Sequence, residues 1–391
     1  MKLTVIGLGQ CGSRIADNFA RLNHKAQVER KANIAPNVFA INTDQADLTG
    51  LRYIKKDYMH RIIIGLRQTL GHGVGKLNEL GAELAREDGD KMIDAMKAES
   101  GIHESHAFLL IAGSAGGTGS GSIPILAQMI KERYLSKPIY ALVVLPFEHE
   151  VNSEARSVYN SATCLKSIYE VVDAVFLADN QRYVRKDASL INNIDSINRA
   201  IAAPFYDLMC AGEITKRKHV GARTIDAGDL IASIEGWTAL GLGRTELPAF
   251  RFPWEVRKKH FREKAVESFR GSQALDAAMS NLSIGCNPKD ANKVIYAISG
   301  PPSEMNMDMV KSVSDYLKEI APTALIRGGD FPGEKHFIDV TLILSHLSSI
   351  PKIEEFYQKA LQYSSDNKTQ IEETRKKVQT LNDLGKGLPS L

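Results

Sequence analysis

The most constraining feature of this 391-residue chain is the segment Gly113-Ser114-Ala115-Gly116-Gly117-Thr118-Gly119-Ser120-Gly121, five glycines within nine residues. A glycine inside regular structure costs about 0.5–1 kcal/mol relative to alanine, so a plain connecting loop has little use for so many. The segment leaves an apolar run, His106–Gly113, and opens an amphipathic stretch, which places it between a strand and a helix. Small residues whose N–H groups converge form a nest for an anion, and Thr118 and Ser120 add hydroxyl donors. No lysine follows the glycines, so this is not a P-loop of the G-x-x-x-x-G-K-S/T kind.

Two further glycine loops precede helical patterns. Gly7-Leu8-Gly9-Gln10-Cys11-Gly12 fits G-x-G-x-x-G, which alone is compatible with an NAD-type cofactor, another nucleotide or a tight turn. Gly71-His72-Gly73-Val74-Gly75 is the third. Three such loops at successive strand ends indicate a polyphosphate lying across the C-terminal edge of a sheet.

The first half of the chain supplies that sheet. Short apolar runs at Leu3–Gly9, Asn37–Asn42, Arg61–Gly65, His106–Gly113, Ile139–Pro146 and Ala174–Asn180 alternate with helical patterns near 12–22, 76–99, 120–134 and 153–171. Near-continuous Val/Ile/Leu runs predict parallel strands covered on both faces. A long helix is expected near 190–210, then a loop at 214–228. Pro248, Pro253 and the basic run Arg257–Arg262 mark a change of unit. Strand candidates Val294–Ser299, Ala324–Gly328 and Phe337–Ser345, with helices near 306–320 and 351–363, predict a small α+β domain. The expected divisions are a nucleotide domain over 1–212, a loop and helix over 213–245, the α+β domain over 246–363 and a polar tail over 364–391.

Composition excludes several classes. A net charge of +3 is too small for a dedicated nucleic-acid binder, and none is expected. The four cysteines form no CxxC pair, which fits free thiols in a cytoplasmic protein better than zinc or disulfides. The first apolar run is too short for a secretion signal, and no stretch reaches the roughly 18 residues needed to span a bilayer. Glu148-His149-Glu150 looks like a metal cluster but lacks further ligands, and is expected in a loop above the nucleotide. The basic run Arg257–Lys264 reads as a solvated face.

With these motifs assembled, the chain resembles the tubulin/FtsZ superfamily over roughly residues 1–360, and most closely its archaeal CetZ group. Gly9-Gln10-Cys11-Gly12 looks like the first loop of tubulin, and Ala115–Gly121 like its GGGTGSG signature, with Ala115 in place of the first glycine. Asn42-Thr43-Asp44 resembles the second loop of FtsZ; Gly71–Gly75 with Glu79 and Gly81 resembles the third. The match continues through Trp237–Gly241 and Phe337–Ser345.

The resemblance implies a Rossmann-like parallel-sheet GTPase domain joined by a long central helix to a smaller α+β domain. It also implies GTP/GDP and Mg²⁺ as ligands, and self-association into head-to-tail filaments. By position, the implied GTP-binding residues of the loops are Gly9, Gln10, Cys11, Gly12, Asn42, Asp44, Gly71, Gly73, Gly75, Ala115, Gly116, Gly117, Thr118, Gly119 and Ser120. Asn180 and Asn198 are the implied readers of guanine, and Glu154 and Arg156 lie where relatives contact ribose. Thr224-Ile225-Asp226-Ala227-Gly228-Asp229 is similar to the acidic loop N-x-D-x-x-D, with Thr224 in place of Asn. Asp226 and Asp229 would then complete the hydrolytic site of a neighbouring subunit; read alone, they are equally good helix caps.

Two other functions compete. An NAD(P)-dependent oxidoreductase would use Gly7–Gly12 with Asp44 on the ribose, but leaves the loops at 71–75 and 113–121 unexplained. A nucleotide-binding structural protein without turnover is the other, favoured by the departures at Ala115 and Thr224.

Overall fold

A computed structural model describes residues 1–184, 190–210, 213, 225–247, 261–333 and 336–365. β1 (Leu3–Leu8) passes into α1 (Gly9–Arg30), and β2 (Asn37–Asn42) leads through α2 (Gln45–Thr49) to β3 (Arg61–Ile63). Four short helices follow: α3 (Leu66–Thr69), α4 (Asn78–Glu87), α5 (Gly89–Ala98) and α6 (Gly101–Glu104). Next come β4 (Ala107–Gly113), α7 (Thr118–Arg133), β5 (Ile139–Leu145), α8 (Glu148–Ser153), α9 (Ala155–Tyr169) and β6 (Ala174–Asp179). The 21-residue α10 (Leu190–Cys210) leads to α11 (Ala227–Ser233), β7 (Gly236–Glu246) and α12 (Phe261–Ser280). β8 (Ala291–Gly300), α13 (Met307–Ile320), β9 (Leu325–Pro332), β10 (Phe337–Leu347) and α14 (351–365) complete the described chain.

The strands form one ten-stranded sheet in the order β3-β2-β1-β4-β5-β6-β7-β10-β8-β9. Pairing is parallel from β3 to β7, antiparallel where β10 joins β7 and β8, and parallel again at β8–β9. Alternation along each strand sorts the core into two layers. Phe108, Leu110 and Ala112 face one side under α5, α7 and α9; Leu109 and Ile111 face the other under α1 and α10. This is the doubly covered arrangement that the continuous apolar runs require.

Three features differ from the sequence reading. The helix expected over 76–99 is two helices, because Asp88 stands between them and accepts the N–H of Gly65 at 2.7 Å. β7 extends beyond the Trp237–Gly241 match to Glu246 and joins the two units into one sheet, through a three-residue pairing with β6. α12 was not anticipated, since the proline- and lysine-rich approach to it masks the pattern; residues 248–260, including most of the basic run, lie outside the described residues.

α12 lies directly on β7. A Cβ on Gly243 would stand 1.9 Å from the Ala274 carbonyl oxygen. Gly243→Ala is therefore expected to lower unfolding stability by about 1–3 kcal/mol, the usual cost of overpacking. Denaturant titration would show this as a lower midpoint at constant slope.

Candidate functional site

Where β1, β2, β4, β5 and β6 end, the chain encloses a cavity of about 440 Å³. Its walls come from the three glycine loops, the ends of β2 and β6, and the start of α10. Gly9, Gln10 and Cys11 contribute from the first loop; Asn42 and Asp44 from the second; Gly73 from the third; Ala115, Gly116, Gly117, Thr118 and Gly119 from the phosphate loop. Asn180 and Asn198 line the far end.

The loops are tied together by short polar contacts. Asp47 accepts from Gln10 Nε2 at 2.8 Å and from Asn42 Nδ2 at 3.0 Å. The Thr43 and Thr118 hydroxyls lie 2.6 Å apart. Asp44 caps α2 through Oδ1, which accepts from Ala46 and Asp47 N–H at 2.8 and 3.2 Å. Asp44 Oδ2 has no partner among the described residues and sits 3.9 Å from where a Gly73 Cβ would be. The third loop is left-handed at every other residue, with φ of +79° at Gly71, +78° at Gly73 and +58° at Gly75. It is held by Gln45 N–H to the Gly71 carbonyl (3.0 Å) and Gly73 N–H to the Thr43 carbonyl (3.2 Å).

The end lined by Asn180 and Asn198 is equally determined. Asp179 accepts the Gln181 N–H at 3.1 Å, which forms the short turn Asn180–Tyr183 and presents Asn180. Lys352 of α14 holds the same carboxylate at 2.9 Å. Asn198 is on α10, one turn beyond Ile194, and is buried.

Several expected residues take other places. Gly12 lies beneath the site, where its Cβ would be 2.0 Å from the Ile111 carbonyl oxygen, so it allows α1 to pack on β4. The Ser120 hydroxyl donates back to the Gly116 carbonyl. Gly71 and Gly75 shape the third loop without lining the cavity. Glu154 pairs with Lys76, just past the third loop, and Arg156 with Glu79 of α4; neither Glu154 nor Arg156 lines the cavity. The hydrogen bond from Lys76 holds the Glu154 carboxyl below the usual range.

Other lining residues were not anticipated: Arg14, Asp47, Lys76, Val74, Phe147 and Ile194 among them. Lys76 directly follows a glycine loop and Arg14 sits two residues beyond another, which is the only sequence signal they carry. Glu150 also lines the cavity, and from α8 rather than a loop; its Oε2 accepts the Phe147 N–H at 2.9 Å. Burial pushes the Cys11 thiol up to about 12.

Asp226 and Asp229 lie at the other pole. Asp226 is the exposed N-cap of α11 and accepts the Asp229 N–H at 2.8 Å; Asp229 accepts from Arg327 Nη1 at 2.8 Å. Thr224 is outside the described residues. α10 starts at the cavity and ends where the Met209 carbonyl accepts from the Met1 amino group at 2.7 Å, beside the first residue of β1. Leu230 of α11 and Ile234 just after it pack there with Met1 and Leu3. At 1.5 Å per residue, α10 runs about 24 Å from Ile194 at the cavity to Cys210 at the other pole.

Comparison with known proteins matches residues 2–186 to the Tubulin/FtsZ family GTPase domain and residues 187–362 to the Tubulin-like CetZ C-terminal domain. The chain is 31% identical to tubulin-like protein CetZ1 of Haloferax volcanii, over 96% of this chain and 94% of that one. Against tubulin-like protein CetZ of Pyrococcus abyssi it is 25% identical, covering 100% and 96%. Among solved structures, the GDP-bound monomer of Haloferax volcanii CetZ1 superposes with a TM-score of 0.79 at 29% identity, covering 93% and 100%. The GTPγS-bound protofilament of CetZ2 from the same organism also gives 0.79, at 25% identity, covering 94% and 100%.

Gly116 separates a binding role from a packing role. An added Cβ there meets nothing within 4 Å, whereas at Gly117 it would meet Val74 Cγ2 at 2.5 Å and Leu77 N at 2.9 Å. Gly116→Val is expected to melt like the unaltered chain while losing nucleoside triphosphate affinity by calorimetry; unchanged affinity would mean the cavity does not seat phosphates at this loop.

Proposed function

Because the chain belongs to the tubulin/FtsZ family, in its CetZ branch, we propose that it binds GTP in the cavity at the C-terminal sheet edge, polymerises head to tail and hydrolyses GTP between subunits. The carrying observation is that a glycine-walled cavity and the acidic start of α11 lie toward opposite ends of α10, whose run from Ile194 to Cys210 is about 24 Å. Within one chain the carboxylates cannot reach the cavity. Stacked head to tail, one subunit's α11 faces the next subunit's loops.

Such a contact joins two different surfaces and, where its rotation does not close, extends into a filament. The protofilament form of the CetZ2 relative supports this arrangement. The N–H groups at the starts of α1 and α7 take up phosphate charge. Asp226 and Asp229 of the adjoining subunit orient the attacking water in line with the terminal phosphate. Asp44 Oδ2, a free carboxylate oxygen on the cavity wall, suits Mg²⁺, which takes oxygen ligands and keeps several waters. When bound, that ion neutralises charge on the phosphates. The Asn180 and Asn198 amides each offer a donor and an acceptor to the guanine edge. An oxidoreductase reading leaves unexplained why all three glycine loops converge on one cavity.

Two measurements test this reading. If the amides read guanine, GTP should bind at least about tenfold more tightly than ATP, since a mismatched edge leaves buried polar groups unpaired at about 1–3 kcal/mol. Equal affinities by calorimetry would remove the assignment. The acids are tested by Asp226→Asn, because asparagine caps a helix as well as aspartate does but carries no charge. It should bind GTP like the unaltered chain and turn it over roughly 100-fold more slowly. In the unaltered protein, turnover per subunit should climb steeply with protein concentration. Normal turnover in Asp226→Asn would reduce this residue to a helix cap.

A further inference from the structure

The buried Asn160 of α9 lies outside the cavity wall, yet touches both loops that form it. Its Nδ2 lies 2.9 Å from the Lys76 carbonyl oxygen, 3.1 Å from that of Ala115 and 3.1 Å from that of Gly116. Two amide hydrogens are thus shared among three carbonyls, one in the third loop and two in the phosphate loop. The residue is 0% exposed, and its Oδ1 has no hydrogen-bond partner among the described residues. A buried unpaired acceptor costs free energy, so a residue that merely filled space would dispense with it. The acceptor accompanies the donor, and the donor is what the site uses.

Peptide planarity says what for. In a trans peptide the carbonyl of one residue and the N–H of the next point in opposite directions, and all the described peptides are trans. Drawing the Ala115 and Gly116 carbonyls to Asn160, behind the wall, turns the Gly116 and Gly117 N–H groups the other way. Both residues line the cavity, and among the described residues neither N–H has a protein partner. The third carbonyl fixes the Lys76 backbone, left-handed at φ +61°, against Gly117, where an added Cβ would stand 3.0 Å from the Lys76 carbonyl carbon. Arg156, Asn160 and Thr163 share one face of α9 at i, i+4 and i+7. The outer two hold Glu79 and Asn78 at the start of α4, and of the three only Asn160 reaches Lys76 and the phosphate loop.

We infer that Asn160 is a positioning residue for the phosphate cradle: its amide, joined at the Gly116 carbonyl by the Ser120 hydroxyl, aims the Gly116 and Gly117 N–H groups at the anion and sets Lys76 and the third loop against them. The inference rests on the GTP-binding reading and deepens it, because it assigns the orientation of the nest to a side chain that touches no ligand.

The test compares Asn160→Ala, Asn160→Ser and Thr163→Val by calorimetry with GTP and GDP, alongside melting curves of the nucleotide-free chains. Thr163→Val is the control: it leaves the Asn78 amide, 2.9 Å from the Thr163 hydroxyl, unpaired in the same region without touching the phosphate loop. Asn160→Ala should weaken both nucleotides roughly ten- to a hundredfold, as expected where several charge-assisted hydrogen bonds are misdirected. Asn160→Ser keeps one donor and should lose less; it is also the variant to read if the alanine chain does not fold. Thr163→Val should stay within about threefold of the unaltered chain, whatever its melting point, its lost hydrogen bond being remote from the anion. Unchanged affinity in a folded Asn160 variant, or an equal loss in Thr163→Val, overturns the inference and leaves GTP binding standing. An unaltered chain that binds neither nucleotide overturns the functional reading and this inference with it.

Discussion

The site depends on backbone meeting backbone at the starts of α1 and α7. A Cβ on Gly9 would lie 2.9 Å from Gly119 N, one on Gly119 would lie 2.7 Å from the Leu8 carbonyl oxygen, and one on Gly7 would lie 2.4 Å from that of Gly12. No side chain fits between the two loops. Only this contact lets two helix N-termini share one cavity, so that their unpaired N–H groups act on a single anion. The buried Thr43–Thr118 pair and the Asp47 bonds to Gln10 and Asn42 then add the second loop to the same body. The third loop closes it, held by Gly71 and Gly73 on one side and by Asn160 on the other.

The opposite pole is fixed by a different element. α10 is buried along one face, with Ile197, Ile201, Phe205 and Met209 in the core layer that also holds α1. Phe19 and Phe176 both meet Phe205 edge-on at 5.2 Å. Near its end, Asp207 accepts from Arg30 of α1 at 2.8 Å and from Ser299 of β8 at 3.1 Å. A helix anchored at the cavity, in the core and in the C-terminal unit behaves as a strut. It sets the distance between phosphate loops and acidic cap, and that distance sets the repeat of any head-to-tail assembly.

The loops were legible in the sequence because their chemistry is written in residue type. Glycine clusters between strand and helix patterns have few other uses, and the cavity formed where Gly9, Gly73 and Gly116 were expected to meet a ligand. What escaped notice depends on approach in three dimensions. Nothing local distinguishes Phe147 or Ile194 from ordinary core residues; they line the cavity because β5 and α10 deliver them there. Glu154 and Arg156, expected on the ribose side, are instead taken by Lys76 and Glu79, neighbours of opposite charge. β7 was hidden by length: its pairing with β6 spans only Gly236 to Thr238 before it turns to β10. Asp226 shows the limit most clearly, since an N-cap and a hydrolytic acid require the same residue at the same place.

The charges of the cavity wall explain why nucleotide and metal belong together. Asp44, Asp47 and Glu150 face it as carboxylates, against Arg14 and Lys76 as cations. Lys76 is paired with Glu154 at the surface, where such a pair is worth about 0–1 kcal/mol and is readily exchanged. A triphosphate entering alone would bring its charge against three acids, relieved by two side chains and two helix ends. A divalent cation reverses that balance, and Asp44 then attracts the ion where it had repelled the phosphate. On the proposed reading, the acids of the wall and the glycines of the floor suit a polyphosphate accompanied by a divalent cation.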